Sequence, residues 1–470
     1  MAVVSTYPNY QSLRSRWVPR VPEHWSLLRA KNFLREIDDR SKTGEETLLS
    51  MRMQRGLVAH NDVSVKRIAP ENLIGYKKAQ PDELVLNRMQ AGNAMFFRNR
   101  QPGLVSPDYA VFRLLRNDNP EYLGHLFRSW PMRGLFRSES KGLGTGTSGF
   151  LRLYSDRFAA LEIPLPPRPE QDQIVAYLRA QDAHIARFIK TKRDLIKLLT
   201  EQKLRIIDHA ITRGLDASVA LKPSGIEWLG EMPEHWRALK LKFATKRIVG
   251  GSTPKSDESS YWDGGIVWVT PRDISKTDSL HTSLRTISAT GLQSCASTLV
   301  PPGSIVITSR APVGNVAIAR VELCTNQGCK AVVPAPDTAI SDFLFLLLLR
   351  MKERLQVLAN GTTFAEIGTW VLANEFIPVP PVSEQQAICR WITDECQPLD
   401  DAITRTEEEI KLIREYRDRQ IADVVTGQVD VRGWQPGPDD MVDGDEVEAL
   451  AALGDDSEDA PEGEDADGNE

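Results

Sequence analysis

Two groups of side chains in this 470-residue chain offer the donors needed to hold a polyanion. In the first half they are Arg52, Gln54, Arg55, Lys77, Lys78, Arg88, Gln90, Asn93, Arg98 and Arg100. In the second half they are Ser252, Thr253, Lys255, Thr270, Arg272, Ser309, Arg310, Asn326, Gln327 and Lys330. Lysines, arginines and small hydroxyls suit phosphate, whereas Arg, Asn and Gln present paired hydrogen bonds to purine edges in a major groove. Gly250-Gly-Ser-Thr-Pro-Lys255 reads as a flexible loop bearing hydroxyls and a lysine, and Trp268-Val-Thr-Pro-Arg-Asp273 ends a strand with Thr270 and Arg272 available. Each candidate has a plainer alternative, since an isolated surface arginine is usually a solvated charge. Tyr261, Trp262 and Trp268 have faces for stacking on bases, but aromatics at strand ends more often fill a core. Gly144–Thr147 and Gly361-Thr-Thr363 fit either a backbone phosphate nest or a tight turn before a strand.

Bond-making chemistry is poorly represented. Lys141-Gly-Leu-Gly-Thr-Gly146 lacks the lysine that completes a phosphate-binding loop, and no HExxH, GxSxG or EF-hand pattern occurs. Neither an Asn-Pro-Pro-Tyr-type tetrapeptide nor a nuclease cluster is present, and Pro81-Asp82-Glu83 has no suitable downstream lysine. The seven histidines form no close pair. Five cysteines without a CxxC pair argue against a tetrahedral metal site and a disulfide framework, and so for a reducing cytoplasm. No catalytic residue, metal or chain-bound cofactor is expected.

Charge divides unevenly. Residues 433–470 hold 15 acidic residues and no Lys or Arg, which leaves 49 acids against all 58 bases in residues 1–432, a net +9. The acidic, aromatic-poor segment reads as a disordered tail, and the basic body permits a polyanionic partner. The densest apolar run, Phe343–Leu349, is too short for a bilayer, which needs about 20 residues, and Pro8, Asn9 and Arg14 interrupt any signal-peptide core.

The elements that must position these donors occur twice. Val21-Pro-Glu-His-Trp25 returns as Met232-Pro-Glu-His-Trp236, and Ile163-Pro-Leu-Pro-Pro-Arg-Pro-Glu-Gln-Asp-Gln-Ile174 returns as Ile377-Pro-Val-Pro-Pro-Val-Ser-Glu-Gln-Gln-Ala-Ile388. Between these anchors the match weakens, though Arg88…Gly92-Asn93 lies opposite Arg310…Gly314-Asn315. Each half runs from short strands such as Glu83–Asn87 and Ser304–Thr308, through a helix and a Gly/Thr-rich turn, to one long helix. Ile174, Leu178, Ile185, Phe188, Leu195, Leu199 and Ile206 fall at coiled-coil spacing, as do Ile388, Ile392, Leu399, Ile403, Ile410, Ile413, Ile421 and Val424. Pro398 is expected to kink the second helix. Some 40 residues at 1.5 Å each give about 60 Å, and the simplest partner for either apolar stripe is its own repeat. The Pro-Glu-His-Trp pairs read as structural anchors.

The repeated IPLPPRPEQDQI and IPVPPVSEQQAI segments, with GIEWLGEMPEHW and GGSTPKSDESSYWDGGIVWVTPRDI, resemble the specificity subunit of type I restriction–modification enzymes over nearly all of Trp17–Arg432. The resemblance implies an α+β chain: two pseudo-symmetric mixed α/β target-recognition domains joined by two long helices packed as an antiparallel coiled coil. Its expected divisions are 1–165 and 214–380 for the domains, 166–213 and 381–428 for the helices, and 429–470 for the acidic tail. It implies reading of a bipartite, asymmetric double-stranded DNA site, one half per domain. It also implies docking of two methyltransferase subunits and of restriction/translocase subunits, with S-adenosylmethionine, ATP and Mg on those partners. The first half departs from the pattern, lacking both the Gly-Ile-Glu-Trp-Leu-Gly opening and the GGSTPKSDESSYW stretch. Two rival readings are a protein–protein scaffold whose helical pair is the functional element, and a stand-alone DNA-binding regulator.

Overall fold

The structure is a computed structural model that describes residues 5–53, 55–143, 150–275, 277–359 and 366–440. The chain forms two compact units, Met1–Leu195 with Thr406–Glu470, and Ile196–Arg405. The long helices are α1 (Arg168–Arg213) and α2 (Val382–Val425), and each is divided between the units. Each unit therefore holds a portion of both helices. Pro398 lies inside α2, which continues to Val425.

The first unit centres on a four-stranded antiparallel sheet in the order Leu34–Ile37, Ala110–Leu114, Leu84–Leu86, Phe96–Arg98. Phe96, Phe112, Phe127, Phe136 and Phe158 pack beneath it, with Phe96 and Phe127 stacked at 4.6 Å. Buried rings of this size each remove a large apolar surface from water. Strand Ser26–Arg29 pairs antiparallel with Glu162–Leu165, which ties the start of the unit to the proline segment leading into α1. The diverged portion supplies a hairpin, Leu49–Arg52 with Gly56–Ala59, and a pair, Lys77–Ala79 with Gly103–Val105.

The second unit uses the same scheme. Thr245–Gly250, Cys329–Pro334, Ile305–Thr308 and Val316–Ala319 follow one another across an antiparallel sheet, and Ser279–Leu280 adds a parallel fifth strand. With the parallel Ser279–Leu280 set aside, both sheets place the first, fourth, second and third strands along the chain side by side. Arg237–Lys240 pairs with Phe376–Val379 as its counterpart does in the first unit. The apolar run at 343–349 is a core helix, Ser341–Arg350, with Phe343, Leu344, Leu347 and Leu348 buried. Here the diverged portion is a three-stranded sheet in which Trp262–Val269 lies between Thr286–Ile287 and a parallel Leu323–Thr325.

Within the first unit the two helix portions run antiparallel, because partner numbers on α2 fall as those on α1 rise. Gln420 donates to the Tyr177 hydroxyl at 2.8 Å, Arg417 forks onto Asp182 at 2.6 and 2.9 Å, and Lys192 meets Glu409 at 2.6 Å. In the second unit Lys203 bonds both oxygens of Asp400, at 2.6 and 2.8 Å. The seam follows the expected positions at Ile174, Leu178 and Ile185 but then passes to Ile189, leaving Phe188 and Leu195 42% and 39% exposed. An α-helix of 3.6 residues per turn drifts off a strict 3.5-residue repeat, which accounts for the step of four.

The expected disordered tail does not begin at 429. Val431 and Trp434 are buried in the first unit's core, Trp434 meets Tyr177 edge-on at 5.5 Å, and the Asp430 amide donates to the Ser5 carbonyl at 2.7 Å. Two apolar anchors and a strand-like bridge hold this stretch despite its acidic neighbours. Residues 441–470 lie outside the described residues. Among the described residues no helix is long and apolar enough to cross a membrane.

Candidate nucleic-acid interface

In the second unit four chain segments converge at the sheet ends where most of the sequence candidates lie. Gly251 follows strand Thr245–Gly250 and lies so close to the 325–326 backbone that a Cβ would stand 1.9 Å from the Thr325 oxygen, so only glycine fits. The next residue, Ser252, donates its amide to that same oxygen at 3.0 Å, and the Thr253 hydroxyl bonds the Gln327 side chain. Asn326 donates its amide to Val269 at 2.9 Å and accepts from the Gly328 amide at 3.0 Å through its side chain. The Ser309 amide donates to Gly328 at 2.8 Å, which draws in the turn after Ile305–Thr308. Thr253, Lys255, Arg272, Arg310 and Gln327 are exposed around this junction.

Several candidates here already have internal work. Thr270 caps the short helix Pro271–Ile274 through a capping box, with Asp273 accepting from its amide at 2.7 Å and its hydroxyl at 2.6 Å. Arg310 bonds Glu366 at 2.9 Å. Lys330 is buried with its ammonium 3.8 Å from Glu366, and burial pulls its pKa down despite that carboxylate. Ser309 is fully buried, and its hydroxyl has no hydrogen-bond partner among the described residues. Trp262 and Trp268 are core residues that brace the loop: they meet edge-on at 5.2 Å and donate to the Lys255 and Ser252 carbonyls at 3.1 and 3.0 Å. They are not stacking platforms for bases.

The loop joining Ser279–Leu280 to Thr286–Ile287 was missed by sequence reasoning. Its Leu284 amide donates to Asp273 at 2.7 Å, and Ser283 links the Trp268 amide (3.1 Å) to the Arg285 carbonyl (2.7 Å). The loop is thereby fastened beside Arg272, with His281, Leu284 and Arg285 exposed. The only signal in the sequence was a leucine–arginine pair inside the polar stretch His281-Thr-Ser-Leu-Arg285.

The first unit treats its candidates less uniformly. Lys77, expected to reach DNA, is 3% exposed; its ammonium donates to the Tyr109 carbonyl at 2.8 Å and lies 3.7 Å from both Glu36 and Asp38. Burial lowers its pKa. Arg88 is held by Glu36 and by Ser155 at 2.9 Å, and Arg98 by Asp82 at 2.7 Å and Glu121 at 2.9 Å. Such internal pairing removes Lys77, and weakens Arg88 and Arg98, as contacts for an outside anion. Lys78 pairs with Glu46 at 3.0 Å. Arg52 and exposed Arg55 flank a hairpin tip that Arg128 holds by donating to Met53 at 2.9 Å; Gln54 lies outside the described residues. Gln90 and Asn93 are exposed on a separate turn, Arg88–Asn93, and Arg100 is exposed after strand Phe96–Arg98. Gly144–Thr147 and Gly361–Thr363 also lie outside the described residues.

The repeated motifs meet at the start of each long helix. In the first unit Glu170 accepts from Trp25 at 2.9 Å and Tyr7 at 2.6 Å, with His24 at 2.7 Å. In the second, Glu384 accepts from Trp236 at 3.0 Å, with His235 at 2.8 Å. The next residue does the same work in both copies: Gln171 donates to Pro166 and accepts from the Asn119 amide, and Gln385 donates to Pro380 and accepts from the Ile340 amide. A glycine at positive φ follows the other helix in each case. Gly214 (φ +75°) packs on Trp236 and Gly427 (φ +74°) on Pro22 and Trp25.

Comparison with known proteins adds independent observations. The family model for the type I restriction modification DNA specificity domain matches residues 78–198 and 234–412. The type I restriction enzyme MjaIX specificity subunit of Methanocaldococcus jannaschii is 37% identical over 164 residues, or 34% of this chain and 38% of that protein. The putative type I restriction enzyme MjaX specificity subunit of the same organism is 23% identical over 456 residues, 92% of this chain and 100% of that protein. A solved structure from work on complex assembly and conformational transition of the type I R-M system has a similar fold. Its TM-score is 0.57 at 20% identity, covering 86% of this chain and 98% of that one.

Proposed function

Because the chain belongs to the type I restriction modification DNA specificity family, we propose that it is the non-catalytic subunit that reads DNA sequence for a type I restriction–modification complex. Each unit reads one half of a bipartite, asymmetric duplex site. The observation that carries this is one sheet scheme built twice, with the diverged strands and loops of the second unit gathered where exposed donors cluster. A constant frame with variable loops suits two different words read by one subunit. In the second unit Thr253, Lys255, Arg272 and Gln327 would face DNA; in the first, Arg52, Arg55, Gln90, Asn93 and Arg100.

The partners would be two modification (methyltransferase) subunits and the restriction/translocase subunits, in the cytoplasm, with S-adenosylmethionine, ATP and Mg on those partners. Exposed apolar side chains on the helices support docking: Phe188, Leu195, Leu412 and Tyr416 in the first unit's portions, Leu198 and Leu204 in the second's. Methylation mapping of the host genome with and without this chain tests the reading. A bipartite methylated motif that vanishes with the chain is the expected result, and an unchanged methylome would refute it. Binding to mixed-sequence duplex across a salt series separates the scaffold alternative: DNA reading gives log K falling by about 0.9 per neutralised phosphate per log unit of salt, a scaffold gives none.

A further inference from the structure

We infer that Arg285 is a base-reading residue of the second unit and that it recognises a guanine in the major groove. The assignment rests on the DNA-reading role proposed above and adds the chemistry of one contact. The Arg285 guanidinium carbon lies 3.6 Å from the centroid of the Trp262 ring. At that distance the planar guanidinium lies against the indole face, which restrains its plane, and the exposed side chain leaves N–H edges for an outside acceptor. Trp262 is itself 7% exposed and pinned through its ring nitrogen to the Lys255 carbonyl, so the platform is rigid. The backbone beneath is held by Ser283 and Asp273 through the bonds that fasten the loop.

The surrounding charges sharpen the point. Arg310 is paired with Glu366 and Lys330 is buried beside it, whereas Arg285 makes no ion pair or side-chain hydrogen bond among the described residues. An oriented fork of donors with no internal acceptor matches the paired O6 and N7 acceptors of guanine. Phosphate also accepts a fork, but the neighbouring residue argues against the backbone. Leu284 is 73% exposed and held next to Arg285, and an apolar side chain complements a base edge or a thymine methyl rather than a phosphate.

The test is selection of bound duplexes from a random library by the full chain assembled with its modification subunits, using wild type, Arg285→Ala and Arg285→Lys. The wild type should enrich a guanine at one position of one half-site. Both variants should lose that single preference, by about 5- to 140-fold in discrimination, with every other position retained. Arg285→Lys should keep the salt slope of wild type, since it keeps the charge and loses only the fork. Replacing the guanine by 7-deazaguanine, which lacks the N7 acceptor, should weaken wild type and leave Arg285→Ala unaffected. A uniform loss of affinity for all sequences with a shallower salt slope would identify a phosphate contact and overturn the assignment, as would an unaltered sequence profile. If wild type enriches no sequence at all, the DNA-reading role itself fails.

Discussion

Removing the carboxylate at the start of α1 should cost the first unit more than the equivalent change costs the second. Glu170 accepts from the Trp25 indole and the Tyr7 hydroxyl, both on residues only 3% exposed. Burial and the adjacent carboxylate push the Tyr7 ionisation far above its ordinary range, so that hydroxyl stays a donor. Glu170→Ala therefore strands two buried donors. Each costs about 1–3 kcal/mol, or about 2–6 kcal/mol together. Glu384→Ala strands one, the Trp236 indole, for about 1–3 kcal/mol, because among the described residues no tyrosine bonds Glu384. The histidines add little to either sum, since their side chains are 38% and 44% exposed and can turn to water. Hydrogen exchange followed by mass spectrometry reads this locally in the full chain. Peptides from the first turns of α1 and α2 should show faster exchange in Glu170→Ala and Glu384→Ala respectively, tenfold for each 1.4 kcal/mol, with the larger effect at α1. Tyr7→Phe should account for part of the difference. Equal acceleration at the two sites, or a larger effect at α2, would refute the counting of stranded donors.

Lys77→Met should leave both DNA affinity and its salt slope unchanged, because that ammonium is satisfied inside the first unit; Arg272→Ala should reduce the slope by about 0.9, both read by titration at several salt concentrations. Hydrogen bonds from Ser41 and then Lys78 hold the Glu46 carboxyl down at about 2. A depressed acid stabilises the fold above its ordinary pKa and loses that contribution as pH falls, so the 41–46 loop should loosen between about pH 4.5 and 2, seen as faster exchange of the Gly44 amide that bonds Ser41. Burial pushes Cys329 and Cys389 up to about 12 and Cys324 to about 11. At pH 8 the fully buried Cys324 and Cys329 should react with an aromatic disulfide reagent only after unfolding, while half-buried Cys295 reacts in the native chain; rapid labelling of Cys329 would contradict the packing around it.

The duplicated frame was legible because its signals are local. Proline punctuation, an acidic first turn and the Pro-Glu-His-Trp motif recur at near-constant offsets, and each occupies the same place in its unit. The candidate site was legible only as residue types. Thr270 and Arg272 are two residues apart, yet one caps a helix and the other is exposed, and that depends on Asp273 accepting locally. Lys77 looked like any surface lysine because Glu36, Asp38 and Tyr109 reach it through sheet pairings far away in sequence. Arg285 escaped notice for the converse reason: its significance comes from Trp262, 23 residues earlier, across a pairing of Trp262 with Ile287 that no short-range pattern announces. Composition averaged over 433–470 hid the anchoring of Trp434.

The interleaving of the two units dictates an order of construction. The first draws on Val425, Val431 and Trp434, with the Tyr122 hydroxyl donating to the Val425 carbonyl at 3.0 Å, so on a ribosome its amino-terminal portion must wait while 196–405 is made. At about 5–20 residues per second that is roughly 10 to 40 s. The second unit, one uninterrupted stretch, starts later and finishes sooner. A polypeptide cut short near residue 405 and released would carry every residue of the second unit but only the amino-terminal portion of the first.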